Sequence, residues 1–84
     1  MEKKLIPCKY VIDDDTYNFF VSSRDKALQT WVVENSGHVL SKTTLDFIYE
    51  PMPSSRTDEF LQDTRFSNPN QAYEYYQKYI NKFT

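Results

Sequence analysis

Apolar and polar residues alternate from Cys8 to Asp13, with Cys8, Tyr10 and Ile12 on one side and Lys9, Val11 and Asp13 on the other. A period of two marks a strand with one buried face. Asp13-Asp14-Asp15-Thr16 then predicts a turn, because aspartate side chains bond the backbone that follows and interrupt a ladder. Residues 17–21 resume the alternation, with Tyr17, Phe19 and Val21 opposed to Asn18 and Phe20, so residues 8–21 predict a β-hairpin.

After Ser22 the period changes. Ser22 with Asp25 three residues on resembles a capping box, and Ala27, Leu28, Trp31 and Val32 recur at helical spacing. Gly37, after Asn35-Ser36, offers the left-handed backbone that ends a helix. A first helix is therefore expected over residues 22–37. Residues 38–50 predict a long third strand, bent near Ser41-Lys42, with Thr43, Leu45, Phe47 and Tyr49 on one face and Thr44, Asp46, Ile48 and Glu50 on the other. Pro51-Met52-Pro53 ends it, since proline cannot donate to a ladder. Residues 51–67 predict an irregular connection with room for one helical turn at residues 57–61.

The closing helix carries the clearest signals. Asn68 is its expected cap, Pro69 its first residue and Gln71 its third. At 100° per residue, Ala72, Tyr73, Tyr76, Tyr79, Ile80 and Phe83 share one face and Tyr75 widens it on the Tyr79 side. These elements make a single small α+β domain over residues 1–84, in the order β-β-α-β, a short turn, then α. The expected sheet is three-stranded and antiparallel, in the order 2-1-3, with two helices on one face.

Composition narrows the function. A net charge of −2 with basic residues scattered along the chain supplies no basic tail or stripe for phosphate backbones. One cysteine, Cys8, forms no intramolecular disulfide and suits a reducing compartment, so a cytoplasmic location is expected. No apolar run ahead of Cys8 is long enough for a secretory signal, and none anywhere approaches a membrane span. Abundant Lys, Asn, Tyr, Phe and Ile against one glycine imply A/T-rich codons, a bias frequent in phages and mobile elements.

Candidate chemistry is sparse. The three aspartates lack the glycine and closing glutamate of a calcium loop, and His38 with Cys8 is too small a ligand set for structural zinc. No nucleophile-elbow sequence surrounds any serine. Neither enzymatic activity, metal nor cofactor is expected; Cys8 reads as a small buried residue and His38 as a surface one.

What stands out instead is the aromatic face of the last helix. Tyrosine is favoured in binding hot spots because it buries a large area at low entropy cost and keeps a hydrogen-bonding tip. Tyr73, Tyr75 and Tyr79, with Lys82 beside them, are the expected protein-binding residues, and the acidic Asp58 and Glu59 of the connection are a second patch. The expected function is a small non-catalytic protein-binding module, such as a phage- or mobile-element-encoded inhibitor that occludes or tethers a host protein. The expected partner is another protein or a second copy of the chain, without membrane association. The alternative, a nucleic-acid-binding regulator, would rest on Lys78 and Lys82 with Lys3, Lys4 and Lys9.

Overall fold

A computed structural model describes residues 7–13 and 18–83. The rest of the predicted Asp13 to Thr16 turn and the first residue of the second predicted strand lie outside the described residues. The fold is α+β, but its sheet differs from the expected one. Five antiparallel strands follow one another in chain order: β1 Lys9–Val11, β2 Phe20–Ser23, β3 Trp31–Asn35, β4 His38–Leu40 and β5 Phe47–Tyr49. A 3₁₀ turn at Pro53–Ser55 leads to α1, Asp58–Thr64, and then to α2, Pro69–Asn81.

The three-stranded sheet of order 2-1-3 and the helix over residues 22–37 are both overturned. Instead of capping a helix, Ser22 continues β2 and pairs with Val32. The Asp25 carboxylate closes a loop by accepting from the Gln29 amide at 2.9 Å and the Thr30 amide at 2.8 Å. Leu28, at φ 59°, turns the chain back, and its carbonyl accepts from the Trp31 indole at 2.8 Å. Val32 and Val33 are both 0% exposed, so β3 is covered on each face. A strand buried on both sides loses its alternation, and its continuous apolar run then matches a helical stripe equally well. Ser36 and Gly37, at φ 49° and 82°, form a two-residue turn between β3 and β4 rather than a helix end. Two successive positive φ values characterise the type I′ hairpin turn, whose twist fits the flanking strands.

The long strand expected over residues 38–50 is two strands. Between them the chain folds on itself, with the Leu45 amide donating to the Ser41 carbonyl and Leu45 itself at φ 54°. Asp63 of α1 anchors this loop by accepting from the hydroxyls of Ser41 and Thr43 and from the Thr43 amide. The helical turn expected at residues 57–61 becomes α1, capped by the Thr57 hydroxyl, which accepts from the Phe60 amide at 3.1 Å. The closing helix matches its prediction. The Asn68 side chain accepts from the Gln71 amide at 2.8 Å and Pro69 is the first residue.

Strand register sorts the side chains into two layers. Tyr10, Val21 and Val33 are cross-strand neighbours, as are Leu40 and Phe47, and with Trp31 they make the face that α2 covers through Ala72 and Tyr76. Ser22, Val32, Glu34, Val39 and Ile48 belong to the other face. Residues 51–65 lie over that side: Arg56 and Arg65 reach Glu50, and Asp63 holds Ser41 and Thr43. The two helices therefore do not share one face. The chain passes between layers at Phe66, whose amide and carbonyl exchange hydrogen bonds of 2.7 and 2.8 Å with those of Trp31. It can do so because β4 pairs with β3 only near their turn, at Val39 with Glu34 and His38 with Asn35.

Candidate interaction surface

The wide aromatic face of α2 is partitioned along its length. Tyr76 is buried in the core, where burial first, and then the nearby Asp13, Tyr79 and Tyr73, hold its phenol above the ordinary tyrosine pKa. Tyr75 is half-buried against Phe66, with ring centroids 5.2 Å apart and the Lys78 ammonium over its outer face at 4.4 Å. Tyr79 is also half-buried, edge-on to Phe47 at 5.0 Å and to Phe83 at 5.1 Å. Tyr73 stacks on Tyr76 at 6.3 Å and remains 42% exposed. All three flank tyrosines contact aromatic neighbours, but Tyr73 is exposed where Tyr75 and Tyr79 are half-buried.

The other expected binding residues do not join it. The Lys82 ammonium sits at 2.6 Å from Asp46 and donates to the Leu45 carbonyl at 2.7 Å, which ties the end of α2 to the start of β5. Asp58 and Glu59 are exposed in the first turn of α1, where negative charge complements the helix dipole. They therefore sit on a different layer from Tyr73.

What Tyr73 does join was not legible in the sequence. The start of α2 stands beside β1, and a half-open groove of about 470 Å³ separates them, with Tyr10, Val11, Ile12, Pro69, Asn70 and Tyr73 in its walls. Tyr10 is 39% and Val11 48% exposed. β1 is an edge strand. The Ser23 amide donates to the Cys8 carbonyl at 2.8 Å and the Ile12 amide to the Phe19 carbonyl at 3.1 Å, so Cys8, Tyr10 and Ile12 turn their main chain toward β2. By the alternation of an antiparallel ladder, Lys9 and Val11 point their amides and carbonyls outward, where none of the described residues pairs with them. Cys8, expected to be buried, is exposed just before this edge, and His38 is exposed at the start of β4.

The opposite layer carries a charge network. Glu50 receives Arg24 at 2.9 Å and Arg65 at 2.7 Å, with Arg56 at 3.7 Å, and Arg24 also reaches Glu34 at 2.9 Å. Burial opposes ionisation of Glu50, but hydrogen bonds and charges from Arg24 and Arg65 outweigh it and hold its pKa below the ordinary glutamate value. Glu34 behaves alike: burial raises its pKa, while the Ser22 hydroxyl, Arg24 and Lys9 lower it further.

No helix among the described residues is long and apolar enough to cross a membrane. Comparison with family models, with curated proteins and with solved structures finds no match.

Proposed function

We propose that the protein is a non-catalytic module that binds an extended segment of another protein along the open edge of β1. One observation carries this reading: outward main-chain groups at Lys9 and Val11, unpaired among the described residues, run beside a groove whose walls include exposed rings of Tyr10 and Tyr73. A strand laid on such an edge gains main-chain hydrogen bonds, and its alternate side chains enter the neighbouring groove. Tyr10 and Tyr73 would supply the aromatic anchors and β1 the register. Occlusion of the bound segment is the simplest inhibitory action this geometry permits.

Substitution by proline tests it. Val11→Pro removes an outward amide and leaves the β1–β2 ladder intact, because the ladder uses the amides of its neighbours. Tyr49→Pro does the same at β5, the other edge. A protein partner captured from host lysate in stoichiometric amount should be lost with Val11→Pro and weakened about tenfold or more with Tyr73→Ala. It should persist with Tyr49→Pro. Loss with Tyr49→Pro alone, or a partner indifferent to both Val11→Pro and Tyr73→Ala, overturns the reading. If the captured partner is the chain itself, concentration-dependent light scattering will show a dimer that Val11→Pro dissolves.

A further inference from the structure

A second cleft lies on the opposite layer, between the β2–β3 loop, the β4–β5 loop and residues 56–65. It measures about 590 Å³, and Arg24, Lys42, Arg56 and Arg65 line it together with Thr30 and Leu61. Its lining residues include four cations and no carboxylate, in a chain whose net charge is −2. Glu50 and Glu34 are the carboxylates that pair with these arginines among the described residues; three guanidiniums share Glu50, and Arg24 also reaches Glu34. Two carboxylates, one of them also paired with Lys9, face these four cations among the described residues, so positive charge is left over at the cleft. Burial, followed by the like charges of Arg24 and Arg56, draws the Arg65 pKa below the usual arginine value in spite of Glu50.

The remaining donors are available for a ligand. Arg56 gives its Nε to the Pro51 carbonyl at 2.9 Å and only approaches Glu50, so its terminal nitrogens make no close hydrogen bond among the described residues. The Lys42 ammonium donates to the neutral Gln62 carbonyl at 3.0 Å and no described carboxylate forms an ion pair with it. Asp63, next in the chain, has its oxygens occupied by Ser41 and Thr43.

We propose that this cleft binds a small phosphate monoester, with Lys42 and Arg56 donating to the phosphoryl oxygens, the carboxylate-paired Arg24 and Arg65 adding positive field beside them, and Leu61 next to the esterified group. Guanidinium forks match the paired oxygens of a phosphate, and a dianion is favoured over a carboxylate where several cations converge. The cleft is broad and open, so the organic part of the ester can lie along Leu61 toward solvent. This site is on the other layer from the β1 groove and does not depend on it.

The test is titration of the folded protein with inorganic phosphate, with glycerol 3-phosphate and with acetate at matched ionic strength, read from the arginine Nε–H resonances. Saturable shifts at Arg24, Arg56 and Arg65 are expected with both phosphates, tighter for the monoester, and absent with acetate. Arg56→Ala should weaken binding about tenfold or more, and Arg56→Lys should fall between it and the parent. Both variants leave Glu50 paired with Arg24 and Arg65, so they are expected to fold. Val11→Pro should bind phosphate like the parent, which keeps the outcome separate from that of the β1 reading. No saturable shift, an equal response to acetate, or unchanged binding by Arg56→Ala overturns the proposal. Preference for a phosphodiester oligonucleotide over the monoester overturns it in favour of a nucleic-acid surface.

Discussion

Glu50 shows how one side chain can organise a layer. Its side chain is only 11% exposed, and it holds Arg24 from the β2–β3 loop and Arg65 from the end of α1. Removing the negative charge would leave Arg56 and Arg65 with no ion-pair partner among the described residues and Arg24 with Glu34 alone. Glu50→Gln is therefore expected to destabilise the protein by about 2 kcal/mol, measured by urea unfolding near neutral pH. The same group predicts a pH dependence. Glu34, Glu50 and Asp63 all have folded-state pKa values below the ordinary ones, 4.5 for glutamate and 3.8 for aspartate. Their contribution is complete above those ordinary values and is lost as pH falls through the lowered folded values. Urea midpoints should stay level from neutral pH down to about 5 and then drop, and the drop should be shallower in Glu50→Gln. None of this convergence could be read from the chain, since Arg24 and Glu50 are 26 residues apart and Arg65 and Glu50 are 15 apart.

At the scale of elements, the turn at Ser36-Gly37 decides whether residues 31–40 form a hairpin. A Cβ built on Gly37 meets nothing within 4 Å, so the cost of Gly37→Ala is confined to its backbone at φ 82°. That cost is about 1 kcal/mol, which should appear as a lower thermal midpoint without a change in the circular dichroism of the folded state. Ser36→Asn, better suited to positive φ, should raise the midpoint instead. The sequence carried this turn as a serine-glycine pair between two apolar runs, but the preceding Trp31-Val32-Val33 obscured it by lacking alternation. α2 was legible because everything that defines it is local: Asn68 at the cap, Pro69 after it, and rings spaced by the helical period. α1 was visible only as a single turn, because its extension to Thr64 is secured by tertiary partners such as Ser41 and Thr43. Tyr73 could be placed on an outer flank from helical geometry alone. Tyr10 and Val11 could not be identified as its neighbours, because the edge position of β1 follows from a strand order that only long-range pairing sets.

Across the whole molecule, α2 crosses one face of the sheet from β1 toward β5, and residues 51–65 cover the other. The two open functions proposed for the protein occupy these separate layers, a polypeptide groove on one and an anion cleft on the other. Phe66 joins them, with its ring packed in the α2 core and its main chain in the gap beside Trp31. Because the amides of Trp31 and Phe66 each donate to the other residue's carbonyl, neither can be freed without disturbing the shared bridge. Hydrogen–deuterium exchange should therefore give these two amides closely matched protection, and a Phe66→Ala variant should lower both together. The chain is in effect laced through its own sheet, so a wrench on either covering layer pulls at the same eyelet.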